Sequence, residues 1–289
     1  MMAATEPFPV LVNRLSALSV KKRYEAFRDV DWDGPESALD PRDPRWQLPS
    51  INALGGTAWY RSLPEEARTR LGLEWTCQTF RYGVSFECCL SRGLLELVAA
   101  QPSGSPLIRY AMHELIEESH HSMMFLELIR RTGCETHDVS SVERWLQRHV
   151  VGWARTFPEL FFFCVLSGEV FIDYDNRERL RAGDAMPPIL RRVVQIHVTE
   201  EARHVKFAES FLRDRLPHLP YARHKALEVA VPAAMRRGVA MMLRPPSSIV
   251  RRHAIPRAAM EQAFGRGSAH EAAVNDIIAP IRALLTRRN

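Results

Sequence analysis

His197-Val-Thr-Glu-Glu-Ala-Arg-His204 is the stretch that decides how this sequence is read. On a helix, Glu201 and His204 are three residues apart and leave the same face about one turn from each other. His197, four residues before Glu201, joins that face. Extended both ways, the stripe reads Leu190, Val194, His197, Glu201, His204, Ala208, Phe211. Apolar residues hold both ends, so the stripe faces inward. Two imidazoles and a carboxylate in its middle are costly to bury unless something pairs with them, and a metal ion is the simplest partner.

Outward from that helix, three more long helical segments carry an acid where the apolar stripe should be unbroken. The first, about 73–100, has Glu87 between Phe80, Val84 and Leu94. The second, about 107–132, has Glu118 and His121 between Leu115 and Phe125, and stops at Gly133. The third, 158–181, has Glu169 between Phe162, Val165 and Ile172, and stops at Ala182-Gly183. The fourth, about 187–216, carries the opening stretch. Two helices thus give one Glu each and two give Glu-x-x-His. That is the pattern by which helix bundles hold two iron or manganese ions in their core. Carboxylates suit the work because they bridge two metals, and imidazoles suit iron. On the second helix, Glu117-x-x-His120 fits the spacing as well as Glu118-x-x-His121. The stripe Ala111, Leu115, Ser122, Phe125, Ile129 continues through Glu118, whereas Glu117 shares a more polar face with His113 and His120. Glu118 and His121 are preferred; Glu114 and Asp173 are second-rank candidates.

Four helices near 25 residues, joined by short connectors and an amphipathic helix about 142–156 (Trp145, Val150, Trp153), predict an all-α, antiparallel four-helix bundle. The bundle core is expected over about 73–216. Before it, residues 1–72 form an arm. That arm has a short helix over 10–27, a Pro/Asp/Gly-rich stretch (Asp31-Trp-Asp-Gly-Pro35, Asp40-Pro-Arg-Asp-Pro44) and a helix start with Ser62 at the N-cap. After it, residues 217–289 add three shorter covering helices. One domain is expected over 1–289, with no internal repeat.

Composition narrows the function classes. A hydrophobic fraction of 46% and a charged fraction of 25% describe an ordinary globular protein with one large core. The longest apolar run, Leu160–Leu166, is too short to span a membrane. No charged region followed by an apolar stretch opens the chain, so the expected compartment is the cytoplasm. The five cysteines, Cys77, Cys88, Cys89, Cys134 and Cys164, form no CxxC pair and read as free thiols. The net charge of +5 is spread out. Arg251, Arg252, Arg257, Arg266, Arg282, Arg287 and Arg288 make the C-terminal end basic, but without aromatic interleaving they read as a solvated face and not a nucleic-acid surface.

The residues Phe86-Glu87, Glu117-Glu118-Ser-His-His121-Ser-Met-Met-Phe125, Gly168-Glu169 and His197 to His204 together resemble the AurF-type di-iron N-oxygenases, the p-aminobenzoate N-oxygenase family. The arm residues Asp31-Trp-Asp33, Gly56-Thr57 and Ser62-Leu63 are similar too. The resemblance covers about residues 28–215. It implies a ferritin-like fold and two iron ions, with manganese as a possible substitute, held by Glu87, Glu118, His121, Glu169, His197, Glu201 and His204. His197 would be the histidine that sets this family apart from other ferritin-like di-iron enzymes. One iron would take Glu87 and His121, the other Glu169, His197 and His204, with Glu118 and Glu201 bridging. The resemblance further implies dioxygen as co-substrate, a peroxo oxidant, and an aromatic amine carried towards hydroxylamine, nitroso and nitro products. The substrate would be a small molecule, free or tethered to a carrier. An external reductase or ferredoxin would donate electrons, since no flavin or nicotinamide motif is evident, and a homodimer is expected. Phe161, Phe162, Phe163, Met123 and Met124 read as core before they read as a substrate pocket.

Three other readings compete. A carbon-hydroxylating di-iron oxygenase of the same architecture is the runner-up. An iron-storing or iron-oxidising ferritin is disfavoured by the arm and the tail. A ribonucleotide-reductase radical subunit is rejected. It would begin its ligand set with Asp and place a Tyr one turn after the helix-two His, where this chain has Glu87 and Phe125.

Overall fold

The computed structural model describes residues 6–181, 186–242 and 244–286. The expected stop at Ala182-Gly183 and the basic residues Arg287 and Arg288 lie outside them. All regular structure among the described residues is helical. No helix is long and apolar enough to cross a membrane.

Four long helices form the bundle: α3 (Glu65–Ala99), α4 (Pro106–Thr132), α6 (Pro158–Arg181) and α7 (Pro188–Arg215), the labels following chain order. The fold is all-α and ferritin-like, as expected. Pairs α3/α4 and α6/α7 pack most extensively, and α5 (Ser141–Thr156) links them while lying along α3 and α6. Local chemistry fixes the helix ends. Ser105 caps α4 through Leu107 N–H, and Gly133 ends it in the left-handed region (φ 64°), which a glycine enters without strain. Ser140 and Glu143 close a reciprocal capping box at α5.

Three expectations need correction. The first bundle helix begins at Glu65, eight residues earlier than expected, because Glu65 to Leu71 are residues a helix accepts and the helix runs on through Gly72. Its N-cap is Pro64; Ser62 ends the short α2 (Ala58–Ser62) and donates its hydroxyl to the Trp59 carbonyl. The N-terminal helix α1 spans Phe8–Lys21 and ends before residue 27. Among the described residues the tail carries four α-helices, not three: α8 (Tyr221–Met242), α9 (Ser247–Arg252), α10 (Arg257–Phe264) and α11 (Ala269–Thr286). The first of these, at 22 residues, is nearly as long as α6 with its 24.

The arm is tied to the bundle. Trp32 donates its indole N–H to the Ala26 carbonyl, and Trp46 donates its own to the Asp40 carbonyl; both rings are buried. A Cβ at Gly72 would run into the Trp46 carbonyl, so this glycine lets the arm lie directly on α3. One apolar core joins α1, α4, α6 and α7 to the tail through Phe161, Phe162, Phe207, Leu227, Met235 and Ile278. A second core, around Phe80, Phe125, Met124 and Val193, closes the other side of the bundle interior. The polar cluster described next lies between them.

Candidate metal centre

All seven sequence-predicted residues converge in the bundle interior, and none is more than 1% exposed. Glu87 comes from α3, Glu118 and His121 from α4, Glu169 from α6, and His197, Glu201 and His204 from α7. Their donor atoms fall into overlapping groups in which every atom lies within 4.8 Å of the others: Glu87, His121, His197 and Glu201; Glu114, Glu118 and His204; Glu87, Glu118 and Glu169. Each group could hold a cation, and Glu87 and Glu118 each belong to two of them.

The histidine rings are oriented by partners on the far side of each ring. His121 Nδ1 faces inward, 3.0 Å from Glu118 Oε2 and 3.3 Å from Glu201 Oε1, while its Nε2 lies 3.0 Å from Glu200 Oε2. His204 repeats this with the helices exchanged. Its Nδ1 lies 2.8 Å from Glu118 Oε1 and 3.2 Å from Glu201 Oε2, and its Nε2 lies 2.7 Å from Glu117 Oε2. Each Glu-x-x-His histidine therefore donates its outer N–H to the residue just before the other helix's bridging Glu. Arg203 joins the two straps, its Nη2 donating to Glu117 Oε1 at 2.8 Å and lying 3.3 Å from Glu200 Oε1. A carboxylate behind a ligating imidazole fixes the tautomer and raises its basicity. Glu117 stays ionised: burial pushes its carboxyl up, but His204 and Arg203 outweigh that and hold it below its ordinary value.

The sequence reading missed Glu200, Arg203 and Asn176. Its available signal was the doublet Glu117-Glu118 repeated as Glu200-Glu201. The rival pair Glu117/His120 is split by the fold. Glu117 stands behind His204, and His120 Nδ1 instead accepts the Ala26 backbone N–H at 3.2 Å. Asp173 is ion-paired with Arg177 away from the cluster.

His197 is placed differently from the arrangement the resemblance implied. Its Nε2 lies 3.5 Å from Glu87 Oε1 and 3.6 Å from Glu201 Oε1, and its ring centroid lies 4.5 Å from that of His121. Its ligand atom lies within 4.8 Å of those of Glu87, His121 and Glu201. The Asn176 amide holds the other ring nitrogen at 3.3 Å.

The residues fit a pair of divalent cations on two counts. First, Glu87 Oε2 and both oxygens of Glu169 accept no hydrogen bond among the described residues, although they are fully buried. Four buried carboxylates in mutual contact are expensive, at several kcal/mol per desolvated ion, unless cations or protons neutralise them. Second, the protonation pattern shows where positive charge is wanted. Burial and the neighbouring Glu118 charge drive Glu87 well above its ordinary range; burial and Glu201 do the same to Glu169. At His121 burial opposes charge, yet the hydrogen bonds it donates to Glu118, Glu200 and Glu201 outweigh it and the imidazole is raised; His204 is raised likewise by Glu201 and Glu118. Burial pushes His197 down to about 4, so it stays neutral and free to ligate.

Comparison with known proteins agrees with this geometry. An uncharacterised protein of Mycobacterium tuberculosis is 36% identical over 250 residues, covering 86% of this chain and 74% of its own length. One of Mycobacterium bovis matches to the same extent. The family profile for p-aminobenzoate N-oxygenase AurF matches residues 9–288, well beyond the 28–215 over which the motifs alone show a likeness. The chain therefore belongs to the p-aminobenzoate N-oxygenase AurF family.

Proposed function

We propose that this protein is a di-iron oxygenase that oxidises the nitrogen of an aromatic amine. The observation that carries the reading is the set of seven buried residues, four carboxylates and three imidazoles, with orphaned carboxylate oxygens facing one another. Glu87, His121 and His197 would hold one iron, Glu169 and His204 the other, and Glu118 and Glu201 would bridge them; manganese could replace iron in part. Bound there, the metals supply dioxygen binding and the electrons for its reduction.

The chain's own groups do the rest. Glu117 and Glu200 keep the Nε2 protons of His204 and His121 turned outward, so each Nδ1 lone pair points at the metal positions. His204 and Arg203 keep Glu117 ionised. Phe125, stacked on Phe80 at 4.7 Å and 5.2 Å from the His197 ring, excludes water from the Glu87 side. On the far side of Phe86 and Gly168, the chain neighbours of Glu87 and Glu169, lies a cavity of about 160 Å³. It is lined by Leu160, Phe163, Cys164 and Met235 and by no charged side chain. A half-open apolar pocket of this size has room for a small aromatic ring, which favours a small aromatic substrate, free or presented on a carrier.

We read residues 1–289 as one such domain, acting in the cytoplasm as a homodimer with an external reductase or ferredoxin. The test is single turnover. Iron-loaded, reduced protein is exposed to oxygen with a panel of arylamines, and products are read by mass spectrometry. Hydroxylamino, nitroso or nitro products are expected. Ring or aliphatic hydroxylation with no nitrogen product would transfer the chain to the carbon-oxidising reading. Iron cores in large particles would make it a ferritin.

A further inference from the structure

The two Glu-x-x-His helices resemble each other one turn further upstream than the motifs reach. On α7 the residue four before the bridging Glu201 is His197. On α4 the residue four before the bridging Glu118 is Glu114, and helical spacing puts it on the same face. Glu114 is 1% exposed. A carboxylate oxygen of Glu114 comes within 4.8 Å of the ligand atoms of both Glu118 and His204. Its Oε2 accepts no hydrogen bond among the described residues. Arg203 is directed at Glu117 and Glu200. An uncharged donor beside it is the Tyr110 hydroxyl, which also points at the Arg203 carbonyl at 3.3 Å. A buried carboxylate with an orphaned oxygen beside two metal-facing groups is satisfied by a proton or a metal cation on that side.

We propose that Glu114 is an eighth metal ligand, completing the Glu169–His204 position; this rests on the di-metal reading above. The two positions then differ in chemistry. One has Glu87 with two imidazoles, His121 and His197. The other has two carboxylates, Glu114 and Glu169, with the single imidazole His204. Glu118 and Glu201 are common to both. The imidazole-rich set suits iron, and the carboxylate-rich set suits a harder ion such as Mn²⁺. When both metals are offered, manganese enters the Glu114 position first.

The test is titration of metal-free full-length protein with Mn²⁺ alone, followed by calorimetry and electron paramagnetic resonance. Wild type binds two ions per chain, with the coupled spectrum of neighbouring ions. Glu114→Gln, which keeps shape and removes the charge, retains one ion at wild-type affinity. It weakens the second by roughly tenfold or more, and the coupled spectrum is lost. Glu114→Leu repeats this more severely, and circular dichroism confirms that both variants are folded. Tyr110→Phe keeps both ions. Two ions bound with unchanged affinity in both Glu114 variants would overturn the proposal and leave the seven-ligand centre standing. So would equal loss of the second ion in Tyr110→Phe, which would make Glu114 a hydrogen-bond partner only. Failure of the wild type to bind any metal would overturn the di-metal reading with it.

Discussion

Glu117→Gln separates a residue that tunes the metal centre from one that merely holds two helices together. The wild-type carboxylate accepts two charge-assisted hydrogen bonds inside the bundle, from His204 Nε2 at 2.7 Å and from Arg203 Nη2 at 2.8 Å. Glutamine has nearly the same shape but one acceptor oxygen, so one donor must face an amide N–H. Loss of one such bond costs the metal-free protein about 1.5–3 kcal/mol. The lower half of that range is expected, because Arg203 keeps Glu200 at 3.3 Å. The metal-dependent part is additional. With the anion gone, His204 is a weaker base and its ring is less firmly oriented, which lowers metal affinity by about 10–100-fold. At about 1.4 kcal/mol per factor of ten, that is roughly 1.4–2.8 kcal/mol. Saturating metal therefore stabilises the variant less than the wild type by the same amount. The assay is thermal melting with and without metal, together with competition against a chromophoric chelator. An equal loss of stability in both states, with unchanged metal affinity, would refute the reasoning and make Glu117–Arg203 a structural ion pair.

His121→Ala is expected to lose metal while His120→Ala keeps it, since His120 serves only the Ala26 backbone N–H; elemental analysis giving the reverse would move the helix-two ligand by one residue. Metal uptake near pH 7 should release more than one proton per chain. Glu87, Glu169, His121 and His204 all hold protons above their ordinary ranges and must give them up. Affinity should therefore rise with pH and collapse as pH falls, and calorimetry in buffers of different ionisation enthalpy showing no proton release would contradict this. Gly168→Ala should destabilise by about 1–3 kcal/mol through overpacking, because its Cβ would run into the Phe86 ring. It should also disturb metal loading, since Phe86 and Gly168 immediately precede Glu87 and Glu169. An unchanged melting temperature would show that Phe86 has room to move.

The site was more legible in the sequence than the fold around it, and the reason is physical. A charged residue in an apolar stripe contradicts its surroundings, so Glu87, Glu118, Glu169 and Glu201 stand out one helix at a time. The two Glu-x-x-His spacings then tie them together. Groups that support the ligands carry no such contradiction. Glu200 and Arg203 are charged residues in a run that also holds Thr199 and Gln195, and read one helix at a time they look like a solvated flank. They are buried because α4 and α1 pack against α7, which is information from tertiary structure. Their recoverable trace was the repeated Glu-Glu doublet, visible once both motifs are aligned on their bridging residue. The same alignment brings Glu114 opposite His197. Helix ends follow a similar rule. Gly133 and Pro158 punctuate the chain locally, and the boundaries there were readable. The start of α3 was not, because Pro64 can open a helix as readily as interrupt one. The allocation of His197 depended on which end of the cluster α7 presents to α3. Four residues of spacing put that histidine on the correct face. Only the packing of α3 and α4 against α7 brings Glu87 to its Nε2 and the His121 ring beside it.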